Sequence, residues 1–434
     1  MFLERNATIE NIPKKNADVI LYATNIAHFC PSSGPSSGYS RSLMATARLE
    51  PITGDAVVLV NELIRLAVAQ RASDIHLEPK HDMMHVRLRV DGTLVDVQPI
   101  GLAVAPNVVS RVKVLAKMDI SERRLPQDGQ ISIDLDGGKR VQLRVSTFPA
   151  SQGEKVVLRI LSSQNIIPFS ELGLEDAAQA TLRDVLGRPQ GFVVTSGPTG
   201  AGKTSTLYAL MQLIDPKQVN VVTLEDPIEV ELYGLTQGQV NVRTGFTFAT
   251  GLRSILRQDP DVILVGEMRD SETAGIAMQA ALTGHLVLST LHTSDTVETI
   301  VRLVDLGVEP WIVANALSAV LAQRLVRVIC PHCQRPAKLE RDVWDGDEVV
   351  LPAGSDIVRP KGCDRCMRTG YRGRTGIFEV VELDDDLREL VKAKAPARAY
   401  REIYVRRKIP SLRRAGLHKI KAGVTTVDEV LRVT

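Results

Sequence analysis

The feature that most constrains this sequence is Gly-Pro-Thr-Gly-Ala-Gly-Lys-Thr at residues 197–204. It follows the apolar run 192–196 and opens a segment of helical spacing over 203–214, so the pattern predicts strand, tight turn and helix in succession. Glycines let the backbone curl and aim successive N–H groups at one point. The helix N-terminus adds about half a positive charge there. Gly197, Pro198, Thr199, Gly200, Ala201, Gly202, Lys203, Thr204 and Ser205 form a candidate cradle for the phosphates of ATP. Lys203 would place its ammonium on the terminal phosphates, and Thr204 would offer its hydroxyl to Mg²⁺. The alternative is a glycine-rich turn with a chance lysine, but every fixed position is filled and the flanking context matches. A phosphate loop alone does not define a reaction.

Three later segments narrow the chemistry. Thr-Leu-Glu-Asp-Pro-Ile-Glu (223–229) follows the apolar pair Val221-Val222, which puts Glu225 and Asp226 at the carboxyl end of a strand. Ligands bind at that end in open α/β sheets. Two adjacent carboxylates there can hold Mg²⁺ or orient water; they could equally be a charged turn before Pro227. The apolar strand 262–265 ends in Gly266-Glu267. Where many ATPases place an Asp, this chain has Gly266. Glu267 is the candidate for polarising the attacking water, against a plain surface acid. Metal duty would pass to Thr204 with Glu225 or Asp226. His285 and His292 flank a further strand at 286–290. Either could sense the γ-phosphate through hydrogen bonds or be a packed imidazole.

The surrounding pattern is α/β. Short buried runs at 192–196, 220–224, 262–265 and 286–290 separated by helices imply a mostly parallel sheet covered on both faces. Before it, a helix-period face at 57–68 leads to strands near 75–77, 84–90, 131–135, 141–146 and 156–160, with Asp91-Gly92 as a hairpin turn. This reads as an α+β domain over 55–162, with a connector at 163–173. Residues 1–54 are irregular and contain the linker-like 31–40 beside an unpaired Cys30. With 44% hydrophobic residues, 24% charged and 53 basic against 51 acidic side chains, the chain has globular composition and near-neutral charge. A disordered chain is excluded, and bulk nucleic-acid binding is not expected. The most apolar stretch, 311–326, is broken by Asn315, Gln323 and Arg324, so no membrane helix is expected; no basic region leads into an apolar run and small-residue cleavage site at the N-terminus, so no signal peptide is expected.

Cys330-Pro-His-Cys333 and Cys363-Asp-Arg-Cys366 are two C-x-x-C pairs 29 residues apart. Each pair can present two thiolates to one tetrahedral ion, so the four cysteines are candidate ligands of a structural Zn²⁺, with reduced thiols as the alternative. A four-thiolate site has no open position and is assigned no catalysis; His332 is not needed. Farther on, Arg406, Arg407, Lys408, Arg413, Arg414, Lys419 and Lys421 form a basic cluster, read as a solvated face or as a contact for anionic headgroups or an acidic partner.

Taken together, the segments at 197–204, 223–229, 257–270 and 283–293 resemble the Walker A, Asp, Walker B and His boxes of the type II secretion and type IV pilus assembly ATPases. The resemblance extends to Arg71–Pro79, Arg87–Gly92, Met118–Gly129, the Leu-Ala-Gln-Arg-Leu-Val-Arg run before Cys330 and Gly-Tyr-Arg-Gly-Arg-Thr-Gly-Ile-Phe-Glu after Cys366. It covers residues 55–434.

The resemblance implies a cytoplasmic homo-hexamer, peripherally attached to the inner membrane through partners. Each subunit would carry an N-terminal α+β (PAS-like) domain, a RecA-like core at 174–329, a tetracysteine zinc subdomain at 330–380 and a helical segment at 381–434. ATP would bind between the two main domains, and its hydrolysis would change the interdomain angle about the connector. The implied partners are an inner-membrane platform protein and a membrane adaptor. Residues 1–54 are too short to supply the extra adaptor-docking domain of many relatives, so that route is not expected. Arg253, Arg257 and Arg269 match family arginines of the motor domain, and Arg144 and Arg159 match N-terminal-domain arginines that reach nucleotide; each could instead be in a surface ion pair. The sequence is closer to the secretion branch, with pilus or competence assembly as the alternative. A nucleic-acid translocase is disfavoured by the low aromatic content, and a non-hydrolysing scaffold by the presence of Lys203 and Glu267.

Overall fold

The computed structural model describes residues 52–135, 139–161, 166–345 and 348–434. The linker-like 31–40 and Cys30 lie outside the described residues, as does nearly all of the 1–54 segment. The chain divides into two compact units between residues 163 and 164.

The first unit begins with helix α1 (Ala56–Ala69), where the Asp55 carboxylate accepts the Val57 N–H at 2.7 Å and so satisfies one free donor of the first turn. Strands β1 (Ala72–Pro79), β2 (Met83–Val90) and β3 (Thr93–Gly101) follow, then α2 (Ala105–Leu115), β4 (Gln127–Leu135), β5 (Lys139–Ala150) and β6 (Gly153–Leu161). They form an antiparallel sheet of order β3-β2-β1-β6-β5-β4. Strict alternation fixes the buried face: Met84, Val86 and Leu88 of β2, Val141, Leu143 and Val145 of β5, and Leu59, Leu63 and Ile64 of α1 are all buried. Asp91 and Gly92 both have positive φ, 50° and 85°, as the expected two-residue hairpin turn requires.

The second unit is built on a seven-stranded sheet of order β17-β12-β7-β11-β10-β8-β9. Its strands β7 (Gly191–Ser196), β8 (Val221–Glu225), β9 (Thr236–Gln239), β10 (Val262–Val265), β11 (Leu286–Leu291) and β12 (Leu317–Ile329) run parallel, and β17 (Tyr371–Glu382) runs antiparallel beside β12. Helices α3 (Asp176–Leu186) and α4 (Lys203–Met211) cover one face through Leu182, Val185, Leu207 and Leu210. Helices α5 (Phe248–Ile255), α6 (Ser271–Leu282), α7 (Thr296–Asp305) and α8 (Pro310–Ala316) cover the other through Leu252, Ala277, Met278, Ile300 and Val313. Two-sided cover is why the central strands read as unbroken apolar runs.

Three boundaries differ from the sequence expectation. Phe169 and Leu172, in the stretch read as a connector, are buried in the core beneath α3 and α4. The most apolar stretch turns out to be α8 followed by β12, whose Ala319–Ala322 segment is buried on both faces and so carries no polar alternation. Strand β17, assigned by sequence to the cysteine subdomain, belongs to the main sheet. The cysteine lobe is therefore an excursion between neighbouring strands, holding the small ribbons β13 (Gln334–Lys338) with β16 (Asp356–Pro360) and β14 (Val343–Asp345) with β15 (Glu348–Leu351). Helices α9 (Asp385–Lys392), α10 (Ala397–Arg407), α11 (Leu412–Lys421) and α12 (Val427–Val433) close the chain. No helix among the described residues is long and apolar enough to cross a membrane.

Candidate active site

Because β7, β11, β10 and β8 are adjacent and parallel, the segments that follow them emerge at one sheet edge. This juxtaposes Gly197 after β7, His292 after β11, Gly266-Glu267 after β10 and Asp226 after β8. The phosphate-loop backbone is the one the motif requires: Gly197, Gly200 and Gly202 have φ of 151°, 80° and 88°. Gly202 caps α4 in the left-handed region, which a side chain at that position would strain. Thr204 and Ser205 are exposed in the first turn of α4, with their hydroxyls beside the helix N-terminus.

Lys203 is 9% exposed and donates to the carbonyls of Gly197 at 2.7 Å and Pro198 at 3.2 Å. Burial drives its ammonium down to about 8, with Glu267 opposing the fall and Arg324 adding to it. Its Nζ is 3.4 Å from His292 Nδ1, and His292 Nε2 is 3.6 Å from a Glu267 carboxylate oxygen. The other oxygen of Glu267 accepts from Arg269 at 2.6 Å. Thus Lys203, His292 and the Glu267–Arg269 pair, from three separate segments, form one constellation at the mouth of the loop. A cation for phosphate, a carboxylate able to orient water and an imidazole between them suit triphosphate hydrolysis.

Gly266 also has a physical reason. A Cβ there would lie 3.3 Å from the Leu224 carbonyl oxygen and 3.4 Å from Glu225 Cα, so β8 leaves little room for an aspartate. Glu225 is buried and accepts from the Tyr208 hydroxyl, from Thr223 Oγ1 at 2.7 Å and from Gln237 Nε2 at 3.0 Å. Burial and the Glu225 bond hold the Tyr208 phenol above its usual range. Three internal donors hold the Glu225 side chain in place under the site, whereas Asp226 is exposed on the turn.

Other candidates stand elsewhere. His285 sits at the amino end of β11, at the opposite sheet edge, and its Nδ1 lies 2.9 Å from the Ala280 carbonyl. Six strand residues at about 3.3 Å each separate the two histidines, so His285 takes the packed reading and is not part of the constellation. Arg253 pairs with Glu272 at 2.5 Å, and Arg257 donates to the Arg253 carbonyl at 2.8 Å. In the first unit, Arg144 and Arg159 are cross-strand partners on β5 and β6. Arg159 Nε donates to buried Asp74 at 2.9 Å, and Arg144 and Arg159 line the same shallow basin with Gln130 and Ser146. The basic cluster is largely engaged internally: Arg407 with Asp384 and Asp386, Arg414 with Asp345 and Glu348, and Arg413 with the Trp344 carbonyl. That favours the solvated-face reading.

The four cysteines converge as their spacing requires. All four sulfurs lie within 4.8 Å of one another, with Cys330–Cys363 at 3.9 Å and Cys363–Cys366 at 3.7 Å. Tetrahedral bonds of about 2.3 Å to one zinc give sulfur separations of this size. Backbone N–H groups of Gly362, Cys363 and Gly370 point at these sulfurs from 3.2–3.3 Å, the environment that stabilises thiolate. The chemistry of this donor set fits a structural zinc. His332 faces Arg365 at 3.0 Å, outside the cluster.

Sequence reasoning missed Tyr208, Gln237 and Gln323. Gln323 interrupts an otherwise apolar stretch, and a lone amide in a strand so buried is the signal that could have found it.

Comparison with known proteins agrees with this geometry. The family model described as "Type II/IV secretion system protein" matches residues 53–432. The chain is 45% identical over 379 residues to the "Type II secretion system ATPase E" of Vibrio cholerae, covering 87% of this chain and 75% of that protein. It is 44% identical over 379 residues to the "Type IV pilus assembly ATPase PilB" of Myxococcus xanthus, covering 86% and 67%. The solved structure of the Legionella pneumophila ATPase DotB shares the fold, with a TM-score of 0.64 at 21% identity over 88% of this chain and 97% of that one. With the phosphate loop, the carboxylate after β10 and the family match all in the same frame, the chain belongs to the type II/IV secretion system protein family and is one of its ATPases.

Proposed function

We propose that this protein is a hexameric motor that hydrolyses ATP to drive pseudopilus assembly and protein export by a type II secretion system. The convergence of Lys203, His292 and Glu267 at the phosphate loop carries this reading, together with the identity to the secretion ATPase of Vibrio cholerae. In the mechanism, the loop and Lys203 hold the triphosphate. Thr204 would hold the Mg²⁺ that neutralises phosphate charge. Glu267, oriented by Arg269, takes the proton of the attacking water, and His292 reports the terminal phosphate to the end of β11. Arg253 and Arg257 on the motor, and Arg144 and Arg159 on the first unit, are the proposed sources of further phosphate contacts in the ring. Cys330, Cys333, Cys363 and Cys366 would hold zinc, which would staple the lobe between β12 and β17.

The proposed partners are a platform protein of the inner membrane and a membrane adaptor, with the ATPase on the cytoplasmic side. The similar identity to the pilus assembly relative supports a second reading, a pilus motor. Deleting the gene decides between them: loss of exported enzymes from the medium with surface pili intact is expected, and the reverse outcome would sink the secretion assignment. Native mass measurement with nucleotide should give six chains.

Two further results are expected at Lys203. Lys203→Ala should lose nucleotide binding by at least about a hundredfold, as judged with a fluorescent ADP analogue, since a desolvated charge-assisted contact is removed. The pH response follows from burial, which places the free enzyme's Lys203 near 8. Phosphate binding needs the ammonium. Above pH 8 the site must therefore take up a proton, and KM for ATP should rise by up to roughly tenfold per pH unit while staying flat below 8. A KM unchanged from pH 7 to 9.5 would contradict this.

A further inference from the structure

We propose that Gln323 and Arg324, consecutive residues of β12, are positioning residues that fix the nucleotide loop and the His292 loop against each other. This rests on reading Gly197–Thr204 as the nucleotide loop. Strand β12 lies beside β7 with Ala322 opposite Ser196, so the next residue, Gln323, stands where β7 turns into the loop. Gln323 is 1% exposed, and its Nε2 donates to the Ala201 carbonyl at 2.6 Å. A carbonyl partner demands a donor, which fixes the orientation of the amide. The loop is packed tightly here: a Cβ on Gly202 would lie 3.2 Å from that same Nε2 and 3.3 Å from Leu325. The amide oxygen, by contrast, has no hydrogen-bond partner among the described residues. Burying a half-satisfied amide destabilises the fold relative to an apolar side chain of equal size. The one interaction that offsets this cost is with the phosphate loop.

Arg324 also stands beside the first residue of the loop, where a Cβ on Gly197 would lie 3.4 Å from its Nη1, but its hydrogen bonds go elsewhere. Its Nη1 donates to the Gln323 carbonyl at 2.9 Å, Nη2 to the Ser294 carbonyl at 2.7 Å and Nε to the Val433 carbonyl at 3.1 Å. Ser294 is two residues after His292, and Val433 ends the last helix. All three of these bonds go to main-chain oxygens, and among the described residues no carboxylate forms a salt bridge with it. A planar guanidinium satisfies such a divergent set, whereas a lysine ammonium cannot. One dipeptide thus grips the loop bearing Lys203, the loop bearing His292 and the C-terminal helix. The distance between Lys203 and His292 is set by it.

The test uses the full chain. Gln323→Met keeps the volume and removes the donor. It should keep its melting temperature within a few degrees, while the Kd for a fluorescent ADP analogue and KM for ATP rise about tenfold with little change in kcat, the effect of one lost hydrogen bond. Arg324→Lys should do the opposite, lowering kcat about tenfold with ADP affinity nearly unchanged, because the His292 loop rather than the phosphate loop is released. Gln323→Leu, which also lacks the donor and adds no charge, supplies the affinity reading if the methionine variant does not fold. A donor-less variant that binds ADP as tightly as the parent overturns the role of Gln323; a parental kcat in Arg324→Lys overturns that of Arg324. Lys203→Ala measured alongside separates the two levels. If it alone loses ADP, the positioning role fails; if it too binds at parental affinity, the nucleotide is not at this loop.

Discussion

Glu267→Gln is expected to lower ATP turnover by about 10²–10⁴-fold while nucleotide still binds, the range lost when a general base is removed. The substitution keeps size and leaves an amide oxygen that can still accept from Arg269, so the geometry of the phosphate loop should be undisturbed. What disappears is the basic carboxylate between Arg269 and His292, 15% exposed at the mouth of the site. The three internal donors on Glu225 make it a poor substitute base, because they occupy both of its oxygens and leave neither free for water. Single-turnover hydrolysis measured beside ADP affinity checks this. A Glu267→Gln protein hydrolysing at the parental rate would move the catalytic base elsewhere. The contrast with Lys203→Ala is diagnostic: one variant holds nucleotide without cutting it, the other does not hold it.

Removal of the proposed zinc from the cysteine lobe is expected to be the second large effect. The lobe has few apolar residues of its own. Leu339, Val343, Leu351 and Ile357 join a core shared with Val326 and Ile377 of the main sheet and with Leu412, Leu417, Ile420 and Val430 of the closing helices. A four-thiolate zinc contributes roughly 10–16 kcal/mol in small zinc domains, where binding and folding are one event. Even a fraction of that, released from the junction of β12 and β17, should lower the melting temperature by about 10 °C or more. Cys366→Ser should do the same, since Cys366 is buried and receives N–H groups from Cys363 and Gly370. Elemental analysis is expected to give one zinc per chain. A zinc-free, chelator-treated protein with an unchanged melting curve would remove the metal from the account.

Much of the molecule was legible from the residues alone where the physics is local. The phosphate loop was readable because its left-handed glycines and the following helix are dictated by eight consecutive residues. The hairpin at Asp91-Gly92, the alternating strands of the first unit and the paired cysteines are local for the same reason. The position of Glu267 was legible too, because with Gly266 it follows a four-residue apolar run that reads as a short buried strand.

Tertiary structure decided whatever depends on which strands are neighbours. His285 and His292 flank one strand symmetrically in sequence, yet a strand has two ends about 20 Å apart, and parallel pairing with β7 puts only His292 beside Lys203. Strand β12 carries no alternation because both its faces are buried, so its place beside the phosphate loop, and with it the role of Gln323, lay beyond any periodicity. The partners of Arg159, Arg253 and Arg407 were likewise undetermined, because a long flexible cation pairs with whichever carboxylate the fold brings near. Short-range backbone geometry is written in adjacent residues; the assembly of a site from five separate segments is fixed by hydrogen-bonded sheet order, which adjacent residues do not encode.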